Sequence, residues 1–306
     1  MKLLPVLFLI VAATTLQAAE PEPIIRSGDR VVFLGDSNTY AGKFIAHIEA
    51  VLQNADELDD VELLNLGLSS ETASGLSEPD HPFPRPCVME RLDRVLKKAK
   101  PNVVIACYGM NDAIYYPLID ENFAEYKSAM EELIKKTKAA GARIVLMTPP
   151  PFDVEAVRMN KGKLLKKGEE KYAWFAPYEG YNEVMAAYAN WIFSLKESVD
   201  GIVDLHGALT ESLEASRSED PEYILAKDGV HFNDKAHETV ANVIVDQLNL
   251  PTNETSPEDV KRFVERQNIL RDAWLSHVGH KRPGIKAGLP LEEAQQKADA
   301  LLPVTK

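Results

Sequence analysis

Val31-Val32-Phe33-Leu34-Gly35-Asp36-Ser37-Asn38 is an apolar run that stops abruptly on a glycine, an acid and a serine. A short continuous apolar run reads as a strand buried on both faces, the kind found in parallel sheets. Its end is where a sheet delivers Ser37. Working outward, Val61-Glu62-Leu63-Leu64-Asn65, Asn102 to Tyr108, Arg143 to Thr148 and Gly201 to Leu205 read as four further strands. Between them lie helical patterns: Phe44, Ile45, Ile48, Val51 and Leu52 mark a helix over about 40–54, and others are expected over about 87–99, 122–140, 181–198 and 234–248. Gly141 can end a helix in the left-handed conformation, and Pro149-Pro150-Pro151 ends the fourth strand because proline cannot donate to a ladder.

Strands alternating with helices imply a mostly parallel, five-stranded sheet covered on both faces, a three-layer α/β/α sandwich with right-handed crossovers. In such sheets ligands bind beyond the carboxyl ends of the strands. Polar clusters at 35–38, 65–70 and 109–112 all fall at that edge.

The chain has 306 residues, 45% hydrophobic and 26% charged, an ordinary globular balance. Lys2, the apolar Leu3 to Leu16 and the small residues before Glu20 resemble a secretory signal. Residues 1–19 are therefore expected to be removed after Ala18 or Ala19, leaving an exported protein, periplasmic or extracellular; a retained N-terminal anchor is the alternative. The apolar part is too short to span a bilayer comfortably, so no membrane association is expected after cleavage. A net charge of −13 repels phosphate backbones and argues against nucleic acid as a partner. Cys87 and Cys107 are too few for a disulfide scaffold; a bridge between them is open, but Cys107 reads as a small core residue.

A serine needs a base beside it to attack an ester at neutral pH. Of seven histidines, His231 is best placed, with Asp228 three residues upstream to orient the ring and stabilise its charged form. His237 reads as a solvated residue on the following helix. Acyl transfer also needs donors for the oxyanion, and the backbone N–H groups of Ser37 and Gly67 with the side-chain amide of Asn111 are the candidates.

Gly35-Asp36-Ser37-Asn38, Gly67 after Asn65, Gly109-Met110-Asn111-Asp112 and Asp228-Gly229-Val230-His231 resemble, in order, the four motif blocks of the SGNH or GDSL hydrolases. The resemblance spans residues 28 to 249 and implies a flavodoxin-like α/β/α fold without metal or cofactor. It implies Ser37 as nucleophile, Ser37, Gly67 and Asn111 as the oxyanion hole, and His231 with Asp228 as base and orienter. Two departures bear on the subfamily: Asn38 stands where leucine is common, and Ser70 where a second glycine is frequent. The Gly-x-Ser-x-Gly elbow of the other large serine hydrolase fold is absent, since Thr39 replaces its second glycine.

Residues 152–178 interrupt the rhythm as an insertion at a strand end, mixing basic residues with Tyr172, Trp174, Phe175 and Tyr178. Trp174, Tyr172 or Tyr178 would stack sugar rings, or else pack the insertion onto the body. Asp36 and Asp112 join Trp174 and Tyr172 as candidate substrate-binding residues. Pro251 to Pro257 marks a boundary, dividing a hydrolase domain over 20–250 from a helical extension over 251–306. In that extension Ser256-Pro257-Glu258-Asp259 opens a helix with a cap, a proline and acid in its first turn. Trp274 and His277 share a face there, suited to packing on the body or to the site, and two histidines without an acid are weak evidence for zinc. The expected function is a serine esterase acting on O-acyl, mainly O-acetyl, groups of a polysaccharide or small carbohydrate. Activity on small acyl esters, thioesters or phospholipids, or a non-catalytic glycan-binding module, are the competing readings.

Overall fold

The opening stretch forms the second strand from one edge of a five-stranded sheet. A computed structural model of the chain describes residues 22–53, 55, 58 and 60–302; the expected signal segment over 1–19 lies outside the described residues. In order the elements are β1 (Arg30–Gly35), α1 (Ser37–Ala41), α2 (Lys43–Gln53), β2 (Glu62–Asn65), α3 (Leu92–Ala99), β3 (Val103–Cys107), α4 (Asp120–Ala139), β4 (Arg143–Met147), α5 (Val154–Met159), α6 (Tyr181–Ser194), β5 (Gly201–Val203), α7 (Leu205–Glu219), α8 (Asp234–Gln247), α9 (Pro257–Val278) and α10 (Leu291–Asp299).

All pairings are parallel, in the order β2-β1-β3-β4-β5, with Val32 opposite both Leu64 and Val104. Alternate residues face opposite layers. Val32, Leu34, Val104 and Leu146 pack under α3, α4 and α6, against Val95, Leu133 and Val184. Val31, Phe33, Ile105 and Val145 pack on the other face against Phe44, Leu209 and Ile244 of α2, α7 and α8. Each such side chain contributes roughly 1.5–3 kcal/mol when fully buried, which is why β1 is apolar at every position from Val31 to Leu34. Among the described residues no helix is long and apolar enough to cross a membrane.

Three departures from the sequence pattern bear on the packing. The helix expected over 40–54 is two helices, because Gly42 takes φ 64° between α1 and α2. Helix α7 is unannounced in the sequence, since its buried stripe is only Leu205, Leu209 and Leu213. His237 is not solvated: it is 2% exposed, stacked on Phe44 at 6.0 Å and edge-on to Phe232 at 5.5 Å. Burial holds it down to about 4, neutral at pH 7. Cys87 and Cys107 are free thiols, facing the carbonyl oxygens of Ala73 and Thr148 respectively.

Helix α9 lies along β2, the edge of the sheet, where unpaired backbone groups invite association. Its start is the capping box that Ser256 and Asp259 announce. Gln267 Nε2 donates to the β2 carbonyl of Leu63 at 3.0 Å and to the Glu49 carboxylate of α2 at 2.7 Å. Arg266 pairs with the same carboxylate in a buried contact. Burial pushes Glu49 up to about 7 against the pull of Arg266 and Gln267. Phe263 fills the space beside Ala46 and Ala50, while Leu270 and Trp274 join the core above β2. Arg266→Ala leaves a buried acid short of its cation and is expected to cost about 3–5 kcal/mol of stability, read from the denaturant midpoint. An unmoved midpoint would show that the Arg266–Glu49 pair contributes nothing to stability.

Candidate active site

The site is assembled where β1, β2 and β3 end. At Gly35 a Cβ would sit 2.2 Å from Thr39 Oγ1, and at Gly67 one would sit 2.4 Å from the Tyr40 backbone nitrogen. The two glycines therefore let the short helix α1 close onto the sheet edge. Asp36 caps that helix, its Oδ1 accepting the Asn38 N–H at 3.0 Å. Ser37 is the first helical residue, so its N–H has no intrahelical acceptor.

His231 reaches Ser37 from the loop before α8. Its Nε2 lies 2.8 Å from Ser37 Oγ and its Nδ1 2.6 Å from Asp228 Oδ2. A neutral ring protonated on Nδ1 thus donates to the carboxylate and accepts from the serine hydroxyl. Asp228 Oδ1 accepts the backbone N–H groups of Val230 and His231 at 3.0 and 2.8 Å, which fixes the carboxylate to its own loop. The hydrogen bond to Asp228 raises the His231 pKa against the effect of burial. Burial would raise Asp228, but its bonds to His231 and the charge of that ring outweigh this and hold it at about 2.

Asn38, noted in the sequence only as a departure from leucine, ties the two halves together. Its Nδ2 donates to Val230 O at 2.9 Å and its Oδ1 accepts the Phe232 N–H at 3.1 Å. The residue after the serine thus grips both neighbours of His231. A buried polar residue beside the serine is the signal that marks it.

Asn111 is buried with its amide oriented. Oδ1 accepts the Tyr115 hydroxyl and Nδ2 donates to Glu71 O, both at 3.1 Å, leaving the second Nδ2 hydrogen for the cleft. Gly67 does not fit the donor role expected of it, because its N–H donates to Asn65 Oδ1 at 2.9 Å. Its glycine identity follows from the approach of α1. Ser70 lines the cleft with Ser37 and Asn111, and among the described residues its N–H makes no hydrogen bond. Its φ of 67° is the conformation glycine favours, so the serine at a position where glycine is frequent was the sequence signal.

Three of the candidate substrate-binding residues are internal. Asp112 is fully buried; its Oδ1 accepts Ala73 N, Ser74 N and Ser74 Oγ, and its Oδ2 accepts Gly109 N. It pins the β2 and β3 loops together, and burial raises its pKa. Asp36 is occupied as the α1 cap, and burial pushes it up to about 6. Tyr172 is 3% exposed, donates its hydroxyl to Lys166 O at 2.6 Å and packs on Tyr116 and Tyr178. Trp174 differs: it is 52% exposed and stands between two clefts that meet at His231. One, about 320 Å³, holds Ser37, Ser70, Phe83, Asn111 and Arg282; the other, about 410 Å³, holds Lys163, Phe175 and Lys227. Among the described residues no group of three His, Cys, Asp or Glu side chains is placed to hold a metal ion.

The family described as GDSL-like lipase/acylhydrolase matches residues 31–244. No curated protein sequence matches. Among solved structures, the chain is similar to a gut microbial diltiazem-metabolizing enzyme, at 20% identity over 76% of this chain and 49% of that one, with a TM-score of 0.57. The chain spans about half the length of that enzyme. It is also similar to a catalytic mutant of an acetylxylan esterase from Geobacillus stearothermophilus, at 20% identity over 76% and 100% of the two chains, TM-score 0.54. A third is the acetyl xylan esterase AlAXEase, at 22% identity over 71% and 98%, TM-score 0.52. At these identities the likeness is one of fold.

Proposed function

The chain belongs to the GDSL-like lipase/acylhydrolase family and is a carboxylic ester hydrolase; we propose that it removes O-acyl, chiefly O-acetyl, groups from a carbohydrate, with Ser37 as its nucleophile. The observation that carries the chemistry is the continuous hydrogen-bonded chain from Ser37 Oγ through His231 to Asp228, opening into a cleft. His231 takes the serine proton as Oγ attacks the ester carbonyl, and the Ser37 and Ser70 backbone N–H groups with Asn111 Nδ2 receive the oxyanion. Collapse expels the alcohol, protonated by His231. Water, deprotonated by the same ring, then releases the acid and restores Ser37.

The carbohydrate half of the reading rests on Trp174, which lines the cleft of Ser37, and Phe175, which lines the adjoining one; both are about half exposed and suited to the apolar face of a sugar ring. The Geobacillus esterase lends support: its catalytic mutants change a serine, an aspartate and a histidine spaced Asp-x-x-His, the pattern of Asp228 and His231. Export, read from residues 1–19 alone, belongs to the same proposal, and N-terminal sequencing of the protein from its native host tests it.

Acetate release from a panel of acetylated polysaccharides tests the substrate class. Inactivity on all of them, with turnover of acyl thioesters or phospholipids, would overturn it. Asn111→Ala is expected to lower kcat by about 10²- to 10³-fold with a smaller change in KM, because its donor serves the developing oxyanion. A fall confined to KM would place Asn111 in ground-state binding instead.

A further inference from the structure

We propose that Arg282, supplied by the segment after α9, reads a carboxylate on the substrate, so that the enzyme selects acidic acyl esters; this rests on the esterase reading above. Two arginines line the cleft that holds Ser37, and their situations differ. Arg85 is neutralised: its Nε and Nη2 clasp the Glu78 carboxylate at 2.6 and 2.7 Å, with both side chains buried. Arg282 has no such partner. Its Nε donates to Ser69 O at 3.3 Å and its Nη1 to Pro283 O at 2.6 Å, and carbonyl oxygens carry no net charge to balance a guanidinium. Among the described residues no carboxylate pairs with it, and its Nη2 makes no hydrogen bond.

The surroundings favour an anion from outside. No Asp or Glu lines this cleft, in a chain whose net charge is −13. Phe83 lies under the guanidinium at 5.1 Å, an arrangement that fixes the plane of the charge while leaving its edge free. A guanidinium presents paired donors that match a carboxylate. Beyond Trp174 the second cleft adds Lys163 and Lys227, so cationic groups stand on both sides of the exposed indole. Arg282 lies outside the stretch the family matches, 31–244, and α9 anchors the segment that carries it. The extension would thereby set specificity for a reaction whose chemistry the domain supplies.

Matched pairs test this on the full chain: O-acetylated oligogalacturonate against O-acetylated xylo-oligosaccharide, and an aryl hemisuccinate against the aryl butyrate. The first pair puts the carboxylate on the sugar, the second on the acyl group. The wild type is expected to favour the carboxylate-bearing member of at least one pair by about tenfold or more in kcat/KM, a preference that weakens as salt is raised. Arg282→Gln should collapse that ratio toward one through KM, and Arg282→Lys should keep part of it. Equal kcat/KM within both pairs would overturn the role of Arg282 and leave the esterase reading standing. So would a preference that Arg282→Gln leaves intact, or an equal kcat loss on both members, which would make Arg282 a brace for the Ser69–Ser70 turn. Hydrolysis of no member would overturn both readings.

Discussion

Ser37→Ala is expected to abolish turnover of a chromogenic acetyl ester, lowering kcat by about 10³- to 10⁶-fold. The serine hydroxyl bonds to His231 Nε2 through its Oγ, and its removal takes away the atom that attacks while the Ser37 N–H and Asn111 remain. Residual hydrolysis above the uncatalysed rate would come from those donors and from binding. The hydroxyl fills no core position, so the thermal midpoint should hold. A variant within tenfold of the wild type would mean that another group carries the reaction.

The second large effect is that of Asp228→Asn, expected to lower kcat by about 10²- to 10⁴-fold, since an amide neither fixes the Nδ1–H tautomer nor stabilises the imidazolium. It carries a pH signature with a definite sign. The working base is the neutral ring, so activity rises with pH through the His231 pKa, which Asp228 raises above 6.5. Losing the carboxylate charge should move that acid limb to lower pH. Asp228, held at about 2, stays ionised throughout and adds no limb of its own in the working range. Its effect on stability has the opposite sense to that of His231. The depressed acid contributes stability above its unfolded pKa of 3.8 that is lost as pH falls through about 2. The raised His231 contributes below 6.5, and its share is lost as pH climbs through the folded value. A kcat loss without any movement of the acid limb would show that Asp228 does not set the charge state of His231.

The sheet was readable because parallel strands buried on both faces must be apolar at every position, as Val31 to Leu34 are. Polar residues at the strand ends stood out for the same reason, and the structure gathers Ser37, Ser70 and Asn111 around one cleft. What pattern reading missed depends on atoms that spacing does not order. Gly67 and Ser70 lie three residues apart in one loop, and only the bond from the Gly67 N–H to Asn65 Oδ1 separates the glycine that admits α1 from the residue whose N–H is free. Asp112 and Tyr172 are polar residues beside a site in sequence yet turn inward, each satisfied by backbone partners. His237 sits among charged residues on α8, and its burial follows from the packing of that helix on α2, which stacks its ring on Phe44. Arg282 stands in the tail, outside all four motif blocks. Its place in the cleft depends on how α9 runs along the edge of β2, a packing of helix on sheet edge that no local periodicity encodes.

Peptide mapping by mass spectrometry after treatment with a fluorophosphonate, which phosphonylates an activated serine, tests the assignment of the nucleophile most directly. The expected result is a single adduct on the peptide containing Ser37, formed slowly in His231→Ala and absent in Ser37→Ala. An adduct on any other residue, or labelling of Ser37 at the same rate without His231, would contradict it.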